Sequence, residues 1–227
     1  MDLVRDPKDF VMAIERYSCS VVSIVGWGRR IASKTDPVVD RALEFMLQAA
    51  QIFVPGDYWM ETIPLLQKLP PWIYMLPTAL KGAGQAMNKY WYALSKEGAA
   101  TSKEMCFSRY VLEREKDGLR PEEIAQLTAN LIGGGVDTTT STMLSFILAS
   151  IAFPEAIKPA HKEIDRVVGY ERSPDWRDED KLVYVKALVK ETLRWRSVAI
   201  LGGLPHAPIQ DDVYRGYHIP KDTSVIV

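Results

Sequence analysis

The sequence predicts a mainly α-helical protein with a long, buried central helix over about residues 121–153 and a small β region at the C-terminal end. Three observations predict it. Apolar residues recur at helical spacing along most of the chain as far as Arg196. Between Glu123 and Glu155 the only charged residue is Asp137, so one helix is apolar nearly all round, as an element enclosed by others must be. After Val198 the pattern changes to short strands and turns, marked by Gly202-Gly203, Asp211-Asp212 and Pro220.

The elements follow in order. A helix is expected over 7–29, with Pro7 in its first turn and Phe10, Ile14, Tyr17, Val21 and Ile24 at helical spacing. A second is expected over 36–53, capped by Asp36 with Pro37 at its first position. Residues 54–77 hold Pro55, Pro64, Pro70, Pro71 and Pro77 with Trp59, Trp72, Ile73, Met75 and Leu76. They read either as a loop over a core or as an apolar lid or membrane-facing surface. Helices over 78–96 and 101–117 come next, the latter closed by Gly118. The central helix then starts at Pro121 and, at 1.5 Å per residue, spans about 50 Å. It is read as a buried helix rather than a membrane span, because its apolar run is broken by Gln126, Asn130, three glycines and several hydroxyl residues. Helices over 154–168, ended by Gly169, and 182–196 complete the helical part; short strands are expected over about 199–227.

Composition narrows the function classes. The chain has 227 residues, 47% hydrophobic and 25% charged, enough for one domain or two small ones. A net charge of −1 offers no basic surface for nucleic acid. Cys19 and Cys106 are far apart in apolar helical surroundings, which excludes a disulfide framework and fits a reducing compartment. The N-terminal MDLVRDPKDF has neither the basic nor the apolar region of a signal peptide.

The chemistry-bearing pattern is GGGVDTTT at 133–140. Each glycine inside a helix costs about 1 kcal/mol relative to alanine, so Gly133, Gly134 and Gly135 together cost roughly 3. Glycine admits close approach to the backbone. Thr138 lies four residues after Gly134, so its hydroxyl can bond back to the Gly134 carbonyl and open the helix ladder to a small ligand. Asp137 is a lone carboxylate in apolar company. A phosphate loop is disfavoured, since no preceding strand is evident and the Lys-Ser/Thr pair is missing. A tight helix crossing would explain the glycines, but not the adjacent acid and alcohol.

Gly134-Gly135-Val136-Asp137-Thr138 resembles the Gly-Gly-x-Asp/Glu-Thr segment in the central helix of the cytochrome P450 family, and Glu191 with Arg194 resembles its Glu-x-x-Arg motif. GLPHAPIQDDVYRGYHIPKDT at 203–223 is similar to the small sheet that follows that motif. The likeness extends over the whole chain and is strongest to the microsomal, fungal type. It implies an incomplete cytochrome P450 fold, haem b as cofactor, an NADPH–cytochrome P450 reductase as electron donor, and insertion of one oxygen atom from O2 into a lipophilic small molecule, in secondary metabolism. It further implies Asp137 and Thr138 as the acid and alcohol that relay protons for O–O cleavage, with Gly134 and Gly135 at the cofactor. His206 is either a haem-propionate partner or an ordinary turn histidine; His161 and His218 read as surface residues. Glu191 and Arg194 are implied as a buried structural pair. Two departures are small: Ser197 stands where the family has proline after LRWR, and Asp222 where PKGT has glycine.

The family's iron is held by a cysteine thiolate in a glycine-rich loop, and neither Cys19 nor Cys106 has that context. The expectation is that this chain lacks the iron's protein ligand, the N-terminal anchor and the first helices, and is therefore inactive by itself. The alternative is a non-catalytic remnant that binds an apolar ligand or a partner. By family the site of action is the cytoplasmic face of the endoplasmic reticulum membrane; without an anchor these residues are expected to be soluble. Met46, Phe53 and Trp59 are candidates to line a substrate pocket, with core packing the competing role.

Overall fold

The computed structural model describes residues 3, 6–33, 35–52, 59, 63–69, 78–199 and 206–226. Phe53, most of the proline-rich 54–77 segment and Gly202-Gly203 lie outside them. The chain is mainly helical with one small sheet and divides into two compact units, Met1–Thr140 and Ser141–Val227.

In the first unit a single 3-10 turn, Pro7–Asp9, leads into α1 (Phe10–Trp27). Gly28, at φ +65°, ends α1 by donating to Ile24 O. Asp36 caps α2 (Pro37–Ile52): its Oδ1 accepts the Val38 amide at 3.0 Å, and its carboxylate takes both arms of the Arg29 guanidinium at 2.9 Å. A 3-10 turn at Pro64–Lys68 is the one described piece of the proline-rich segment with regular structure. Trp59 is 77% exposed, whereas Met46 of α2 packs against the core.

Helix α3 (Thr78–Thr101) runs five residues past the expected end. Gly98 does not stop it. A Cβ there would lie 2.6 Å from the Trp27 carbonyl, so this glycine lets the end of α1 seat on α3. Helix α4 (Phe107–Glu113) starts later than expected, because residues 102–106 form a loop pinned by Arg109 on the Ala99 and Ser102 carbonyls. A 3-10 turn, Arg114–Asp117, carries the chain to Gly118 at φ +99°.

The central element begins as α5 (Pro121–Gly135), where the Glu123 carboxylate accepts the Arg120 amide at 2.8 Å. The long helix carries on with an irregularity of one residue: Val136, still right-handed at φ −87°, ψ −64°, donates to Ile132 O and accepts from the Thr140 amide, and α6 (Asp137–Ala152) continues from Asp137. The core gathers Cys19, Val22, Trp27, Val39, Trp91 and Ile132. Trp27 and Trp91 stack with centroids 5.4 Å apart. A buried polar chain joins three helices: Trp27 Nε1 donates to Ser95 Oγ at 3.2 Å, and Ser95 Oγ meets Thr128 Oγ1 at 3.2 Å. Pro7–Trp27 is apolar and long enough to cross a membrane, but half of its most apolar window is buried within this core.

The second unit holds the rest of α6, then α7 (Pro154–Val167) and α8 (Val183–Trp195). Between them Asp178 closes a 3-10 turn, Trp176–Lys181. The Arg172 guanidinium, paired with both Asp178 oxygens at 2.6 Å, holds that carboxyl far below the usual carboxylate range. Strands β1 (Asp212–Tyr214) and β2 (Tyr217–Ile219) form an antiparallel hairpin over Arg215-Gly216, both at positive φ. Asp222, where the family has glycine, takes φ +63°, the backbone that favours glycine.

Candidate oxygen groove

The candidate site lies where α1 crosses the junction of α5 and α6. The two run antiparallel: Gly26 meets Leu131, Val22 meets Gly135, and Ser18 meets Thr140. A Cβ on Gly135 would lie 2.5 Å from Val22 Cγ2, so Gly135 exists to let α1 close. Gly134 is different. A Cβ there would meet nothing within 4 Å, and the residue is exposed. Gly133 is intermediate, with Phe45 Cε1 at 3.7 Å. One glycine therefore serves packing and its neighbour leaves open space.

The alcohol behaves as its spacing predicts. Thr138 Oγ1 donates to the Gly134 carbonyl at 2.6 Å. Asp137, at the first position of α6, is exposed beside it, where a carboxylate also complements the helix N-terminus. Backing them is a buried hydroxyl pair, Thr140 Oγ1 and Ser18 Oγ, 3.1 Å apart.

Glu15 is the group that sequence inspection missed. It is half-buried on α1, and its carboxyl is held above the usual range, first by burial and then by the negative charges of Asp137 and Asp9. A signal was present: Glu15 and Arg16 are the only charged residues between Phe10 and Gly28.

The remaining candidates belong to the second unit. Glu191 and Arg194 form a two-point ion pair at 2.7 and 2.6 Å that lowers the Glu191 carboxyl. The pair is not buried: its side chains are 55% and 71% exposed, because α8 turns this face outward among the described residues. His206 is exposed and joined to Val225 through backbone bonds of 3.1 and 2.7 Å. His161 and His218 are exposed as well, His218 lying 3.3 Å from Asp211. Both cysteines are buried and free, and burial pushes the Cys19 thiol up to about 11, with Glu15 adding to it.

Comparison with known proteins gives the family. The family model for cytochrome P450 matches residues 4–227, and the chain belongs to that family. The chain is 34% identical to cytochrome P450 monooxygenase polD of Polytolypa hystricis over 99% of its length, and 33% identical to cytochrome P450 monooxygenase 113 of Postia placenta over 100%. Cytochrome P450 monooxygenase psoD of Aspergillus fumigatus is 32% identical over 97%. The chain spans less than half of these relatives, 44%, 46% and 44% respectively.

For a haem, the fit is confined to Gly134, whose side of the helix is open, with Asp137 and Thr138 exposed next to it.

Proposed function

We propose that this chain carries the oxygen-side groove of a haem-dependent monooxygenase that inserts one atom of O2 into a lipophilic small molecule. The observation that carries the reading is the 2.6 Å bond from Thr138 Oγ1 to the Gly134 carbonyl, beside an exposed Asp137 and an open Gly134. A bound haem b would supply the iron at which O2 is reduced and split. Each turnover needs two electrons and two protons to release the second oxygen atom as water, and the electron source by family is an NADPH–cytochrome P450 reductase. The chain's part is the protons. Asp137 exchanges with solvent at the N-terminus of α6, and Thr138 Oγ1 hands the proton inward, held in place by Gly134 O. His206 is assigned to a haem propionate and the Glu191–Arg194 pair to organising the core around the cofactor. The family points to fungal secondary metabolism and to the cytoplasmic face of the endoplasmic reticulum.

The test is Thr138→Ala in the haem-loaded, reductase-coupled enzyme. NADPH consumption should continue while product formed per NADPH falls by at least about 10-fold and peroxide rises; Thr138→Ser should restore coupling. Unchanged coupling in the alanine variant removes the relay. The alternative is a non-catalytic remnant that binds an apolar ligand or a partner. On that reading no product forms with either residue at 138.

A further inference from the structure

We propose that Glu163 is a positioning residue of the second unit, a carboxylate on α7 that caps α8 from outside and fixes the pose of that helix, and with it the Glu191–Arg194 pair. What the pair does for a cofactor rests on the monooxygenase reading above; the pose of α8 does not.

The start of α8 lacks the means to cap itself. It opens Leu182-Val183-Tyr184-Val185. Leu182, at the cap position, has no side-chain acceptor, and the first turn holds no acid. Val183 and Val185 are β-branched and favour a helix only weakly. A helix start leaves four backbone donors without partners inside the helix. The Leu182 amide reaches back to Asp178 O at 3.1 Å. Two more are met from α7: the Tyr184 amide donates to Glu163 Oε1 at 3.1 Å, and the Val185 amide to Glu163 Oε2 at 2.9 Å. Both carboxylate oxygens are engaged, so the side chain grips two consecutive amides and cannot swivel about one. Its negative charge also lies at the positive end of the α8 dipole. The Val185 amide first, and then, against burial, the Tyr184 amide and the Arg166 charge hold the Glu163 carboxyl below the usual range, as an ionised cap requires.

Two further contacts join the helices. Tyr184 Oη donates to the Ala156 carbonyl in the first turn of α7 at 3.0 Å. Trp195, the last residue of α8, meets Phe153, the residue before α7, edge to face with centroids 5.8 Å apart. Helix α8 is thus held at both ends, by Glu163 at its first turn and by the ring pair at its last. Val185 and Trp195 are separated by about 15 Å of helix. Glu191 and Arg194 lie between them, so the two holds together decide where the ion pair stands relative to α7.

The experiment uses the whole purified chain and NMR. Hydrogen exchange of the Tyr184 and Val185 amides reads the cap, and the Trp195 indole resonances, shifted by the Phe153 ring, read the far end of α8. Glu163→Ala should speed exchange of both amides about fivefold or more and move the Trp195 resonances toward those of a solvated indole. Glu163→Gln keeps one acceptor oxygen without the charge and should move both readouts in the same direction by less. Asp165→Ala, which removes an exposed carboxylate from the same helix, should leave both in place. Fast amides with an unmoved Trp195 in Glu163→Ala would overturn the proposal, because the cap would then close only its own turn. Unchanged amides would overturn it too, as would an Asp165→Ala variant that disturbs both readouts equally. Should Glu163→Ala lose its helical signal, Glu163→Gln decides alone, and wild-type values for either readout sink the idea. None of these readouts needs haem or product, so their outcome is separate from that of the Thr138 test.

Discussion

At the scale of single residues, adjacent glycines answer to opposite constraints. Gly135→Ala drives a methyl into Val22, so it should destabilise the first unit by about 1–3 kcal/mol. Gly134→Ala meets nothing and should stabilise the helix by up to about 1 kcal/mol, while narrowing the space beside Thr138. Denaturant midpoints of the two variants check this; equal effects would refute the division. The Thr138 bond to Gly134 was legible in the sequence because four-residue spacing is local geometry. The role of Gly135 was not, since it depends on which helix crosses there. Glu15 carries its own pH dependence. Its raised carboxyl affinity in the folded state means its contribution is most favourable below the ordinary glutamate range and is lost as pH rises through the folded value.

At the scale of elements, termini were easier to read than continuity. Asp36 and Pro37 announce the start of α2, and the structure adds the Arg29 clasp that no local pattern reveals. Asp36→Ala should cost about 1–2 kcal/mol by removing the cap, with Asp36→Asn milder because its side-chain oxygen still accepts from Val38. Chemical denaturation measures both; an Asn variant as unstable as Ala would show that the charge, not the cap, is what matters. The central helix was legible as one long element, but its one-residue irregularity at Val136 was not, because apolar composition says nothing of local angles; three glycines before a β-branched Val136 leave the backbone free to adjust there. The end of α3 was placed at 96 rather than Thr101; Gly98 within that last stretch is a seat for Trp27.

At the scale of the molecule, family membership was legible from two short motifs, but the division into units was not. The boundary falls after Thr140, within α6, so the groove residues Gly134, Gly135, Asp137 and Thr138 belong to the first unit and Glu191, Arg194 and His206 to the second. Motif order along a chain does not say which compact body each motif stabilises. The stacked indoles of Trp27 and Trp91, inclined by only 22°, offer a way to follow one body alone. Rings that close couple their electronic transitions, so they should contribute a paired positive and negative dichroic band that vanishes when α1 and α3 separate. Trp176 is 89% exposed and should instead emit as a solvated indole throughout. Melting the chain while recording the couplet against the total helical signal should give two midpoints if the units unfold separately, and one shared midpoint if they do not. The same pair of rings that closes the core thus becomes its optical clock.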